Sequence, residues 1–183
     1  MSTTTVYEER VEPFGTVTLA PVRPERDTGL LHRWVTEERA AFWGMRDADR
    51  ARVHEIYAYL DSLDTHHAYL VSLDGRPVAL FQTYQPQADP IGDFYPVRPG
   101  DVGVHLLLGP PDPQVPRRAG YTSALLGVLL RFVLSDPDCR RIVVEPDARN
   151  DRAVRRMVRT GFTLGPVVQL PDKRAQFAFL ERA

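Results

Sequence analysis

A chain of 183 residues with 43% apolar and 26% charged residues is globular in composition, and long enough for one well-buried domain but not two. Its 23 basic and 24 acidic residues leave a formal charge of −1, which argues against a broad nucleic-acid surface. No apolar run has the length of a membrane span, the start lacks a signal-peptide core, and the single Cys139 excludes an internal disulfide and a cysteine-rich metal site. The expectation is a single cytoplasmic domain over residues 1–183, with 1–14 as a flexible or extended lead. It should bind no nucleic acid, membrane or metal, and be a monomer or weak homodimer.

Residues 16–22 alternate polar and apolar side chains and predict a strand that ends at Pro24. From residue 25 to about 43, Leu30, Leu31, Trp34, Val35 and Ala41 recur at helical spacing, with Gly44 as the stop. Asp49 is placed to cap a second helix, whose Val53, Ile56, Tyr57 and Leu60 share one face. The period then becomes two. Residues 67–73 and 77–84 predict strands joined at Asp74-Gly75, a tight hairpin signal. Residues 85–100 hold four Pro and two Gly and predict a long, functional loop. An apolar strand at 102–108 is interrupted by His105, and a Pro-rich loop leads to a helix from about residue 119. That helix carries Leu125, Val128, Leu129, Phe132 and Val133 on one face. Residues 141–144 predict a buried strand. Asn150 is placed to cap a helix to Thr160 with Gly161 at its C′ position, and strands at 162–169 and 174–180 follow. The order β-α-α-β-β-β-α-β-α-β-β describes an α/β fold: a mixed sheet of about seven strands, helices on both faces and one parallel pair.

Several residues carry chemistry. Arg117-Arg118-Ala119-Gly120-Tyr121-Thr122-Ser123 puts successive backbone N–H groups and a glycine at a helix start, an anion cradle to which the arginines add charge. By itself it reads more readily as an ordinary helix start. His105 titrates near neutrality and is a candidate base, or a core histidine bonded across the sheet. Twenty-two of the 23 basic residues are Arg, so Lys173 stands alone and reads as a surface cation. His66 and His67 point to opposite faces of a strand and make no chelating pair.

Arg117-x-x-Gly120-x-Thr122 resembles the pyrophosphate-binding motif of the GCN5-related N-acetyltransferase (GNAT) superfamily, with Thr122 at the usual small residue. Asn150-x-x-Ala153 and Gly161-Phe162 are similar to that superfamily's fourth-helix pattern. The resemblance implies a GNAT fold with a splayed acyl-CoA site. Acyl-CoA would be the cosubstrate, held by Leu107, Leu108, Arg117, Arg118, Gly120, Tyr121, Thr122, Ser123 and Asn150. Gly103-Val104-His105-Leu106 and Val144-Glu145-Pro146-Asp147-x-Arg149-Asn150 resemble the siderophore-biosynthesis branch, whose members acylate an N-hydroxylated amine to a hydroxamate. Residues 39–45 and 81–85 are similar to the acyltransferases of desferrioxamine assembly.

The resemblance implies His105 as base and Glu145 as the acid that orients it or moves a proton, with Asp147 the structural rival. Trp43, Gln82, Tyr84 and Asp93 would line the acceptor site, although the aromatic residues are equally good core candidates. The small-molecule acceptor would be N-hydroxycadaverine and the donor succinyl-CoA or acetyl-CoA. Asp89, Asp93, Phe94 and Tyr95 would meet the acceptor's ammonium, and an Arg or Lys173 a succinyl carboxylate. Arg152, Arg155, Arg156 and Arg159 form a solvated helix face, with contact to the CoA 3′-phosphate as a minority reading. One departure stands out: Met157 occupies the position of the usual thiolate-protonating Tyr. The alternatives are a GNAT enzyme acting on N6-hydroxylysine, an antibiotic amine or a protein N-terminus, and a non-enzymatic CoA-binding module.

Overall fold

The structure, a computed structural model, describes residues 4–114 and 118–183. The chain divides into two compact units, Met1–Gln82 with Leu106–Leu129, and Thr83–His105 with Leu130–Ala183.

The first unit begins with β1 (Tyr7–Val11) and β2 (Gly15–Pro21), followed by α1 (Pro24–Val35) and α2 (Arg50–Asp61). Next come β3 (His66–Leu73) and β4 (Arg76–Tyr84), which runs into the second unit. Neighbouring strands lie in the order β1-β2-β3-β4, with β1/β2 and β2/β3 antiparallel. β1 is the strand absent from the sequence reading. Its charged residues Glu8 and Arg10 are exposed, and it sits at the sheet edge, where charge discourages further pairing. Among the described residues the strands therefore number eight rather than about seven.

The helix expected from 25 to 43 is two elements. The Thr36 hydroxyl donates to the His32 carbonyl, Glu37 turns extended, and a 3₁₀ segment Glu38–Trp43 follows, ending on left-handed Gly44. Asp49 caps α2 as its position suggested, accepting from the Arg52 N–H at 2.7 Å. Val22, Leu31, Trp34, Val35, Val53, Tyr57 and Leu80 pack as one buried cluster, which is what the helical spacing of these residues requires. Asp74 and Gly75 both have positive φ, 48° and 78°, as a two-residue hairpin turn demands.

β5 (Asp101–Leu108) begins in the second unit and ends in the first, and α3 (Tyr121–Leu134) runs the other way. The second unit adds β6 (Arg141–Val144), α4 (Asp151–Arg159), β7 (Thr163–Gln169) and β8 (Arg174–Glu181). Its strand order is β5-β6-β8-β7. β5 and β6 are parallel, as the intervening helix implied, and the other two pairs are antiparallel. α4 closes on a Schellman motif: Gly161 at φ 101° lets Phe162 N–H reach the Met157 carbonyl at 3.0 Å and Gly161 N–H the Val158 carbonyl at 3.1 Å. The expected loop 85–100 contains two 3₁₀ turns, Pro86–Ala88 and Pro90–Asp93.

Candidate active site

The parallel register Asp101↔Arg141 to Gly103↔Val143 runs β5 and β6 alongside each other, so residues just beyond it face one another. His105 on β5 and Glu145 after β6 meet at 2.6 Å, Nε2 to Oε1. The carboxylate is buried, with a side chain 6% exposed, whereas the imidazole is 37% exposed. One partner is fixed in the interior and the other opens to solvent.

The pair's electrostatics follow from that geometry. Burial favours the neutral imidazole, yet the Glu145 charge and hydrogen bond overcome it and raise the His105 pKa. Burial likewise pushes the Glu145 carboxyl up, but His105 and Lys173 bring it down to about 2. With Glu145 ionised, Nε2 carries the proton and Nδ1 is the ring's acceptor nitrogen in the neutral form.

The Tyr84 ring lies 5.0 Å from the imidazole, centroid to centroid. A Cβ on Gly103 would fall 2.1 Å from Tyr84 Cζ, so no larger residue fits there without moving the ring. This is the physical content of Gly103-x-His105: glycine makes room for the aromatic ring, and the histidine two residues on shares its face.

Lys173, read from the sequence as a surface cation, is instead 3.6 Å from Glu145 Oε1 and 21% exposed. The β7–β8 turn brings it there, and only its being the single Lys set it apart in the sequence. Asp147 forms an isolated β-bridge with Ala175 and opens the turn to Asn150. Its carboxylate accepts from Arg149 N–H, Nε and Nη2 at 2.9, 3.0 and 2.8 Å. Asn150 caps α4 through Ala153 N–H at 3.1 Å, which accounts physically for Asn-x-x-Ala.

The anion-cradle residues lie in the first unit. Gly120 has φ 84° and immediately precedes α3, whose first residues are Tyr121, Thr122 and Ser123. Arg118 and Gly120 are exposed, and Tyr121 packs edge-on against Phe14 with centroids 6.0 Å apart. An exposed helix start behind a left-handed glycine leaves backbone N–H groups facing solvent, the geometry that anions use at helix N-termini. Arg117 lies outside the described residues. Leu107 is in the apolar core, and the Leu108 carbonyl accepts from the Arg39 guanidinium.

Of the residues expected to line an acceptor site, Trp43 and Gln82 are in the first unit and Tyr84 and Asp93 in the second. Trp43 packs against the α1–α2 core, and Asp93 is exposed. Tyr95, expected to face an acceptor cation, is buried with its hydroxyl donating to Asp101 at 3.0 Å and its ring 5.2 Å from Phe177. Asp89 accepts from Ile91 N–H at 2.9 Å. Of the arginine face expected to be solvated, Arg152, Arg155 and Arg159 are exposed and Arg156 is half-buried. Among the described residues no group of His, Cys, Asp and Glu could hold a metal ion, and no helix is long and apolar enough to cross a membrane.

The profile of the Acetyltransferase (GNAT) domain matches residues 23–170, most of the chain. The chain belongs to the GNAT acetyltransferase family. It is 30% identical over 164 residues to the N(6)-hydroxylysine O-acetyltransferase of Escherichia coli, covering 87% of this chain and 50% of that protein. It is 24% identical over 156 residues to the N-hydroxyputrescine acetyltransferase of Acinetobacter baumannii, covering 82% of this chain and 70% of the relative. The chain thus spans half the length of the E. coli protein. Among solved structures, the aminoglycoside acetyltransferase AAC(6')-Ib in complex with coenzyme A superposes with a TM-score of 0.77 at 25% identity, over 91% of this chain and 95% of that one.

Proposed function

We propose that this GNAT chain is an acyl-CoA-dependent N-acyltransferase that makes a hydroxamate from an N-hydroxylated diamine, N-hydroxycadaverine, in desferrioxamine-type siderophore biosynthesis. Succinyl-CoA and acetyl-CoA are the donors in this reading, and the reaction is cytoplasmic. The His105–Glu145 contact at 2.6 Å carries it. Support also comes from relatives whose names include an N-hydroxylated amino acid and an N-hydroxylated diamine.

A hydroxylamine nitrogen is largely neutral at physiological pH, so the protein need not strip a proton before attack. His105 Nδ1 accepts the proton the nitrogen sheds as the new N–C bond forms, while Glu145 holds the ring through Nε2. The imidazolium so formed is the proton source for the departing thiolate, a role Met157 is chemically unable to fill. Arg118 and the N–H groups at the α3 start, opened by Gly120, hold the CoA pyrophosphate. At φ 84° a β-branched side chain is strained, so Gly120→Val should raise the KM for every acyl-CoA by about tenfold with kcat little affected. An unchanged KM removes this loop from the donor site.

Lys173 beside Glu145 favours a second reading, in which the acceptor carries a carboxylate, as N6-hydroxylysine does. Thiol release measured with a panel of acyl-CoAs decides. N-hydroxycadaverine should give the highest kcat/KM, hydroxylysine a lower one and unhydroxylated cadaverine almost none. Comparable values for hydroxylysine transfer the assignment to the amino acid, and equal rates with plain cadaverine sink the hydroxamate reading.

A further inference from the structure

Glu145 is shared. Its Oε1 meets His105 Nε2 at 2.6 Å and Lys173 Nζ at 3.6 Å, while Oε2 is buried with no hydrogen-bond partner among the described residues. Counting charge over the three groups shows what the lysine does. With Glu145 ionised and the imidazole neutral, the ammonium balances the carboxylate and the cluster carries no net charge. Protonating His105 then gives these three groups a net charge of +1 beside a buried carboxylate. Without the ammonium, the same protonation would create a neutral, hydrogen-bonded ion pair. Glu145 therefore draws His105 towards the imidazolium, and Lys173 opposes it.

We propose that Lys173 is a positioning residue for acyl transfer: held against Glu145, its ammonium keeps the His105 imidazole in the form that accepts a proton. This rests on the reading of the chain as an N-acyltransferase with His105 as its base. The groups that act on His105 come from four elements: Glu145 after β6 and the Tyr84 ring on β4 by contact, Lys173 in the β7–β8 turn and Asp89 in the loop after β4 through their charges. Asp89 adds to the pull of Glu145, and among these described groups Lys173 is the cation that counters both.

The residue type fits the task. A guanidinium fork would engage both carboxylate oxygens and compete with His105 for Oε1, whereas a compact ammonium approaches from one side. In a chain with 22 Arg, lysine stands at this one position. The backbone role of residue 173 is separate, since its carbonyl accepts from Leu170 N–H at 2.8 Å whatever the side chain.

The test uses Lys173→Met and Lys173→Arg with two readouts. One is the NMR titration of the His105 ring without substrates, and the other is the pH profile of kcat/KM with N-hydroxycadaverine and acetyl-CoA. In Lys173→Met the ring should titrate at higher pH than in the wild type, and the acid limb of kcat/KM should move the same way. Activity at neutral pH should fall roughly three- to tenfold and recover in alkaline buffer. Lys173→Arg, which keeps the charge but competes for Oε1, should move neither curve to higher pH. A folded Lys173→Met protein whose His105 titration stays put overturns the proposal, even if its activity drops. If the titration moves in a protein that transfers no acyl group, the coupling stands and the assignment of the reaction falls.

Discussion

His105→Ala is expected to lower kcat for acyl transfer by about 10²–10⁴-fold, with the KM for acyl-CoA little changed. The imidazole is the one titratable side chain in the pair that is open to solvent, and its partner is buried and committed to holding it. Near-normal turnover in a folded His105→Ala variant would make the histidine structural. Glu145→Gln tests the other half of the pair. Removing the carboxylate charge lowers the His105 pKa, so the neutral imidazole persists to lower pH and the acid limb of kcat/KM should move down, opposite to Lys173→Met. The plateau falls as well, because the amide no longer enforces one tautomer. The pair also links stability to pH. His105, raised in the folded protein, stabilises below its ordinary value of 6.5, and that contribution is lost as pH climbs through the folded value. Glu145, depressed to about 2, stabilises above its ordinary 4.5, and the contribution is lost as pH falls towards 2. Melting temperatures of Glu145→Gln should therefore vary less with pH than those of the wild type.

Arg141→Ala is expected to cost about 3–5 kcal/mol of stability, read as a fall in Tm on the order of 10 °C. Arg141 and Asp101 form a bidentate pair at 2.7 Å for both contacts, with side chains 6% and 0% exposed. Asp101 also accepts from Tyr95 at 3.0 Å and from Arg98 N–H at 2.9 Å, and the guanidinium lies 4.6 Å from the Phe179 ring centre. Deleting the arginine leaves a fully buried carboxylate without its counter-charge. The double change Asp101→Asn with Arg141→Met should recover much of the loss, because it removes both charges and keeps an acceptor for Tyr95. Chemical denaturation of the two variants is the measurement. A single variant within about 0.5 kcal/mol of wild type, the range of ordinary surface changes, would show the pair to be peripheral.

Much of this was legible in the sequence because it depends on neighbours along the chain. Periodicity located α2 and α3, Asp49 and Asn150 announced their caps, Asp74-Gly75 its turn and Gly161 its helix stop. The motif residues around Gly120, Asn150 and Gly161-Phe162 already pointed to the GNAT family, and the family profile agrees. Those features are local: a cap needs a side chain within three residues, and a turn needs two dihedrals. β1 escaped because an edge strand buries too little for its alternation to stand out against Glu8 and Arg10. The break after Val35 escaped because apolar spacing is blind to a threonine hydroxyl bonding back into the helix. The charge relations came only from the fold. A parallel register places Arg141 on Asp101, a hairpin turn carries Lys173 back to Glu145, and a missing Cβ at Gly103 admits the Tyr84 ring beside His105. Each joins residues far apart in sequence, and Coulomb energy and steric contact depend on distance in space, which the linear order of residues does not contain.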